Sequence, residues 1–184
     1  GQALAVPPQY GGPGVGLFGA SQTFVRQMPG RLVGRTVDLD GQAGYVLTLS
    51  TREQHIRREK ATSNICTNHG LIALAMGMRT AMLGRQGFQQ TGRRCLNAAT
   101  YLRAGVQKLD AFEIPYSAPV FNELVVRSKG PDACEVLARL AEQGIIGGID
   151  LGRFQVDWRK DLLIAVTELH TRDNLDELLA ALAG

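Results

Sequence analysis

The segment from Thr51 to Thr67 holds the densest group of side chains that could take part in chemistry. It reads TREQHIRREKATSNICT, with basic residues in its first half and hydroxyl or amide residues in its second. Thr51 and Gln54 have the spacing of a capping box, which predicts a helix that begins at Arg52. Its interleaved charges fit a solvated, ion-paired helix, or else an Arg face presented to an anionic cofactor or a partner chain.

A glycine-rich loop and a Cys/His pair are the other candidate sites. Residues 6–16 read VPPQYGGPGVG, and such a loop could cradle an anion or form a plain tight turn. It fits neither the dinucleotide-binding pattern G-x-G-x-x-G nor a P-loop. Cys66 and His69 form a CxxH, but a zinc site needs three or four ligands and the sequence offers no second such pair. We therefore expect no metal site.

Composition places the chain among globular proteins. It has 184 residues, of which 45% are hydrophobic and 20% charged, enough for one large domain or two small ones. No apolar stretch approaches the roughly 20 residues of a membrane span. Cys66, Cys95 and Cys134 are odd in number and widely spaced, which argues against a disulfide framework. We expect a cytoplasmic protein.

The net charge of +3 is unevenly distributed along the chain. Residues 1–92 hold nine Lys or Arg against four Asp or Glu, and residues 93–184 hold eleven against thirteen. A basic first half leaves a nucleic-acid-binding module as an alternative function. Against it, residues 52–67 contain no aromatic side chain other than His55, whereas single-stranded nucleic acids are bound through aromatic stacking.

Hydrophobic patterns and turn residues predict the following elements. Strands are expected at Leu17–Ala20, Gly44–Leu49, Phe112–Tyr116, Phe121–Arg127 and Leu162–Val166. Besides the helix at Arg52, helices are expected at Ile65–Leu83, 87–104, Pro131–Gln143 and from Thr171 or Asp173 to Leu182. The helix that ends at Leu83 is nearly apolar all round, so we expect it to be buried. Strand and helix alternate after residue 110, which is typical of a small α/β layer.

Several motifs together resemble one enzyme family. TREQHIRREKATSNICT, with GGPGVG, MPGRLVGRTVDLDG, FNE and GIIGGIDLGR, closely resembles the glycine cleavage system P-protein, glycine dehydrogenase (decarboxylating). The resemblance is to subunit 1 of the two-subunit form and covers nearly the whole chain. The start at Gly1 without Met fits a piece cut from a longer chain.

The resemblance implies an α/β fold of the pyridoxal-phosphate (PLP) dependent transferase type, fold type I. Residues 1–60 would then be the C-terminal part of the large PLP-type domain. Residues 61–105 would be a helical connection, and residues 106–184 the small C-terminal α/β domain.

The resemblance also implies a reaction and its cofactor. The family decarboxylates glycine through PLP and transfers the aminomethyl group to the lipoyl group of H-protein, which needs a lysine that holds PLP covalently. In the catalytic homologous half this lysine lies just ahead of a similar Gly-Gly-Pro-Gly loop, and Gln2 stands at that position here. We therefore expect no catalytic residue and no covalent PLP on this chain, which alone should be inactive.

The same resemblance implies the partners and the residues that would meet them. The chain would complete a heterotetramer with the lysine-bearing subunit 2, which holds PLP. Arg52, His55, Arg58 and Asn64 are the residues expected to form the interface or to line the site. Glycine and lipoylated H-protein would be further partners, and neither nucleic acid nor a membrane is expected.

Overall fold

A computed structural model describes residues 1, 4, 6, 14–28, 31–49, 56, 58–61 and 69–184. The chain divides into an N-terminal unit, Gly1–Met82, and a C-terminal unit, Leu83–Gly184. The strands are β1 (Leu32–Val37), β2 (Ala43–Thr48), β3 (Phe112–Glu113), β4 (Glu123–Ser128), β5 (Ile149–Asp150) and β6 (Asp161–Ala165). The α-helices are α1 (Gly70–Val106), α2 (Ala133–Glu142) and α3 (Arg172–Ala183), and short 3-10 helices lie at Gln22–Gln27, Arg58–Lys60, Leu151–Arg153 and Val156–Trp158.

An antiparallel hairpin of β1 and β2 is the sheet of the N-terminal unit. Its turn is fixed by Asp38, whose carboxylate accepts hydrogen bonds from the backbone amides of Asp40 (2.9 Å) and Gln42 (2.8 Å). Gly41 follows with a φ of +77°, a left-handed conformation that glycine adopts at little cost. The strand predicted at Gly44–Leu49 is confirmed as β2.

The strand predicted at Leu17–Ala20 is wrong. These residues have irregular backbone, and the side chains of Leu17 and Phe18 are 65% and 68% exposed. A strand persists only when a neighbouring strand takes up its backbone hydrogen bonds, and no described residue does so here. The predicted start of a helix at Arg52 lies outside the described residues; downstream of it, Arg58–Lys60 forms a short 3-10 helix.

The long helix α1 is two helical segments joined at Gly84. This residue has non-helical backbone, with φ 58° and ψ −176°, so the predicted helix end at Gly84 is confirmed. The predicted burial of the first segment is wrong for this chain, because Leu71 and Leu74 are 77% and 60% exposed and Met78 is exposed as well. None of the described helices is long and apolar enough to cross a membrane.

A four-stranded antiparallel sheet organises the C-terminal unit, in the order β3-β4-β6-β5. Along β4 the side chains of Leu124, Val126 and Ser128 are buried and alternate with more exposed ones. On β6, Leu162 and Ile164 are buried in the same way. Because side chains alternate between the faces of a strand, the sheet has one face toward the core.

Three helices cover that face of the sheet. The second segment of α1, α2 and α3 share one hydrophobic cluster with β4 and β6. Its fully buried helical side chains include Leu102 and Val106 of α1, Leu140 of α2 and Leu182 of α3. The C-terminal unit is therefore an α/β layer, as the alternation of elements predicted.

Local signals set the ends of these elements. The side chain of Thr171 accepts a hydrogen bond from the backbone of Asn174, whose own side chain accepts from the backbone of Thr171, so a capping box begins α3. The predicted helices at Pro131–Gln143 and from Thr171 to Leu182 match α2 and α3 within two residues. The strand predicted from Phe112 is shorter than expected, since only Phe112 and Glu113 pair with β4.

A bidentate ion pair ties β4 to β6. The guanidinium of Arg127 donates to both carboxylate oxygens of Asp161, over 2.6 and 2.8 Å, and the two residues stand opposite each other in the sheet. Asp161 is buried, and its hydrogen bonds raise the pKa of Arg127 above its ordinary value. A buried carboxylate needs such a partner, because an uncompensated charge in the interior is costly.

The glycine-rich loop between α2 and β5 approaches the backbone of β6 closely at Gly148. Gly144 follows α2 with a φ of +78°, a common way to end a helix. Gly148 has a φ of +133°, and a Cβ at this position would lie 2.5 Å from the carbonyl oxygen of Leu163. Both the conformation and the approach to β6 therefore require glycine at position 148.

Replacing Gly148 should destabilise the C-terminal unit. We expect Gly148→Ala to lower the free energy of unfolding by about 1–3 kcal/mol, because the added methyl group forces the loop away from β6. Trp158, the one tryptophan of the chain, reports unfolding of this unit in a urea titration followed by fluorescence.

Gly130→Ala is the matched control for that variant. A Cβ at position 130 meets nothing within 4 Å, so its effect should stay within about 0.5 kcal/mol. Equal stability of the two variants would contradict the packing described for the loop.

Candidate ligand-binding site in the C-terminal unit

A cavity of about 510 Å³ opens beside α1. Four of its lining residues lie on α1 at spacings of three, four and seven residues, which places them on one face of the helix. Of the others, two lie between β6 and α3 and two lie at the start of α3. We call this space the α1–α3 cavity; its lining residues are Arg94, Asn97, Ala98, Tyr101, Glu168, His170, Arg172 and Leu175.

The orientation of His170 is fixed by the segment before α3. Its Nδ1 accepts a hydrogen bond from the backbone amide of Thr167 over 2.9 Å. A backbone N–H can only donate, so Nδ1 must carry a lone pair, and the neutral ring then has its proton on Nε2. His170 therefore offers an Nε2–H donor to the cavity that it lines.

The carboxylate of Glu168 contacts a buried thiol. Cys95 lies on α1 with 5% of its surface exposed, and its Sγ donates to Oε2 of Glu168 over 3.5 Å. Burial, together with this hydrogen bond, raises the pKa of the Cys95 thiol. The thiol form therefore persists at neutral pH and holds one oxygen of Glu168 in place.

Arg172, which also lines the cavity, contacts two neighbouring side chains. Its guanidinium lies 4.6 Å from the ring centroid of Tyr101 and 3.8 Å from the carboxylate of Asp176. The hydroxyl of Tyr101 donates to the same carboxylate. The charge of Arg172 is thus already compensated by an aromatic face and a carboxylate.

A second cavity, lined mostly by apolar residues, adjoins the first. It has a volume of about 560 Å³, and His170 and Leu175 line both spaces. The loop 144–148 and β6 form its walls, and Glu123 and Asn174 are among its polar residues. Among the described residues, no group of three or more His, Cys, Asp and Glu side chains could hold a metal ion. The described surfaces are suited to binding an organic molecule through hydrogen bonds and apolar contacts.

Comparison with known proteins identifies the family. Residues 1–182 match the family model of the glycine cleavage system P-protein. The chain belongs to the glycine cleavage system P-protein family. The resemblance expected from the sequence motifs is confirmed.

Curated relatives of the P-protein family are similar over the whole chain. A probable glycine dehydrogenase (decarboxylating) subunit 1 from Sorangium cellulosum is 55% identical over 186 residues, which cover 100% of this chain and 41% of that relative. A protein of the same name from Moorella thermoacetica is 46% identical, with the same coverage. The chain therefore spans 41% of the length of these relatives. The names of these relatives do not support the nucleic-acid-binding alternative.

Solved structures of related proteins have the same fold as this chain. The chain matches a crystal structure of glycine decarboxylase (P-protein) of the glycine cleavage system, in inhibitor-bound form, with a TM-score of 0.84 and 37% identity. That match covers 99% of this chain and 41% of the other. A NifS-like protein from Rickettsia africae matches with a TM-score of 0.50 and 14% identity over 67% of this chain. The expected α/β fold of PLP-dependent fold type I is confirmed.

Most residues that the sequence nominated for the P-protein site lie outside the described part of the chain. This holds for Gln2, Arg52, His55 and Asn64. Arg58 is described, lies exposed in the 3-10 helix Arg58–Lys60, and makes no ion pair or hydrogen bond with another described residue. Their assignment to an interface or a site therefore stays a prediction.

The lysines of the chain do not fit covalent attachment of PLP in the cavities described above. A lysine that holds this cofactor needs to face an enclosed site. The sequence has four lysines, at positions 60, 108, 129 and 160, and none of them lines either cavity. No chemical step through PLP is therefore assigned to the residues of this chain.

The residues of the α1–α3 cavity were not nominated from the sequence. The spacing of Arg94, Asn97, Ala98 and Tyr101 was a usable signal, because it puts polar groups on one helix face. Glu168 and His170 gave no such signal, since they are some 70 residues away and only the packing of α3 against α1 brings them near.

Alkylation should discriminate between two cysteines of the chain. Cys134 is exposed and Cys95 is buried with a raised pKa; the thiolate is the reacting form. At pH 8.5 we expect iodoacetamide to modify Cys134 at least about tenfold faster than Cys95, measured by peptide mass spectrometry at short times.

Chain unfolded in urea is the control, because there the two cysteines should react at similar rates. Equal rates in the folded chain would contradict the burial of Cys95 and its contact with Glu168.

Proposed function

We propose that this chain serves as subunit 1 of a two-subunit glycine dehydrogenase (decarboxylating). The enzyme would release CO2 from glycine with PLP as the electron sink and pass the aminomethyl group to the lipoyl group of H-protein. The observation that carries the proposal is the family match over residues 1–182, with 55% identity to a relative named as subunit 1.

We further propose that PLP is held by the partner subunit. The glutamine at position 2 and the absence of a lysine from the lining of the two described cavities support this assignment. The chain alone would then be inactive, and its contribution would be to complete the enzyme, as part of a heterotetramer.

Exposed apolar side chains support a place in a larger assembly. Within the N-terminal unit, Val37 and Tyr45 of the hairpin are 64% and 74% exposed, and Leu71 of α1 is 77% exposed. Such side chains cluster on surfaces that associate with other protein. Arg52, His55, Arg58 and Asn64 are the residues we propose for the contact with the lysine-bearing subunit or for the lining of its site.

A cytoplasmic location is part of the same proposal. Cys95 and Cys134 are free thiols, which suits a reducing compartment.

Glycine–bicarbonate exchange tests the proposed function. The full-length gene product that contains this chain is assayed alone and mixed with the lysine-bearing subunit and lipoylated H-protein, using labelled bicarbonate. We expect label to enter glycine only in the mixture. Exchange by this subunit alone would overturn the helper role, and no exchange in any mixture would overturn the proposed activity.

A variant of Arg58 tests the proposed interface in the same assay. Arg58→Ala should raise the concentration of this subunit needed for half-maximal exchange by about tenfold, since a charged contact would be lost. Lys129→Ala is the control, because Lys129 is exposed on the turn after β4 and should leave that concentration unchanged. Equal behaviour of the two variants would remove Arg58 from the proposed interface.

A further inference from the structure

We propose that the α1–α3 cavity binds a free amino acid with an apolar side chain. Its ammonium group would lie at Glu168, its carboxylate at Arg94, and its side chain would extend along α1 toward Tyr101. The inference rests on the lining of this cavity and does not depend on the proposed function of the chain.

Two opposite charges line the cavity without pairing. Arg94 makes no ion pair or hydrogen bond with another described residue, so no oxygen of Glu168 lies within 4 Å of its guanidinium nitrogens. One carboxylate oxygen of Glu168 accepts a hydrogen bond from the thiol of Cys95, and the other oxygen remains as an acceptor. A cation and an anion that share a cavity but stand apart suit a molecule that carries both charges.

Neutral hydrogen-bonding groups beside these charges fit the same ligand. His170 presents its Nε2–H, because Nδ1 is taken by the backbone of Thr167. The amide of Asn97 lies one turn from Arg94 on the same helix face. Both side chains line the cavity and can donate to a carboxylate, which has about four lone-pair positions to satisfy.

The far end of the cavity indicates an apolar side chain on the ligand. Ala98, Leu175 and the ring of Tyr101 continue the lining beyond Arg94. Tyr101 lies seven positions after Arg94 on the helix, a rise of about 10 Å. A volume of about 510 Å³ also exceeds what a two-carbon amino acid fills. Arg172 at this end is already paired with Asp176 and Tyr101, so it does not call for a second anionic group.

Titration of the 15N-labelled full chain with leucine tests the proposal by NMR. We expect saturable shifts of backbone amides in residues 94–101 and 167–175. Glycine has the same charged groups without the side chain and should bind about tenfold more weakly. Isovalerate and isoamylamine each carry the apolar chain with only one of the two charges, and each should bind at least about tenfold more weakly than leucine.

Charge-neutralising variants identify the residues that carry the binding. Arg94→Gln and Glu168→Gln should each weaken leucine binding by about tenfold or more. Arg93→Gln is the matched control, since Arg93 is the neighbour of Arg94, is likewise exposed and does not line the cavity. The spectra of the free variants report whether each one folds, and a second pair, Arg94→Lys and Glu168→Asp, should regain part of the affinity.

Three results would overturn the inference. The first is the absence of saturable shifts with leucine. The second is equal binding of isovalerate and leucine, which would make the cavity a site for anions alone. The third is equal affinity of the Arg93 and Arg94 variants, which would move the ligand elsewhere.

Discussion

The second segment of α1 is the element on which the C-terminal unit depends. One of its faces places Ala99, Leu102 and Val106 in the core with no exposed surface. A neighbouring face carries Arg94 and Tyr101 into the cavity described above. Because the positions of both faces are linked by helix geometry, packing of the core fixes where the polar groups stand.

The sheet that packs against this helix is stabilised by an ion pair between strands and by a close approach of backbone at a glycine. The pair of Arg127 and Asp161 joins β4 to β6 by two hydrogen bonds. Gly148 lets the chain between α2 and β5 approach the backbone of β6. These constraints hold β6, and the segment that follows β6 supplies Glu168 and His170. The backbone of β6 therefore helps to position Glu168 and His170.

The predictability of the fold from sequence differs between the two units. In the C-terminal unit, the ends of α2 and α3 followed from Gly144 and from Thr171, since caps are local signals. In the N-terminal unit the strand at Leu17–Ala20 was predicted from apolar residues alone, although a strand also needs a partner. β1 was missed because Gly34 and Arg35 interrupt its apolar pattern.

The functional residues differ in how far the sequence can predict them, because some lie together in the chain and others meet only in the folded protein. A contiguous motif predicts the family, because a residue pattern of that length is specific. The cavity was not foreseen, since Cys95 and Glu168 are 73 residues apart in sequence and their contact exists only in the folded chain. An apolar pattern also does not specify which surface would cover a helix, so it predicts burial for Leu71 and Leu74, which are exposed in this chain.

We propose that this chain belongs to a PLP enzyme without holding the cofactor covalently. Borohydride reduction of the assembled enzyme fixes PLP irreversibly to the lysine that carries it, and peptide mass spectrometry then locates the modified residue. We expect the modification on the partner subunit and none at the lysines of this chain. Modification of Lys60, Lys108, Lys129 or Lys160 at a stoichiometric level would contradict it.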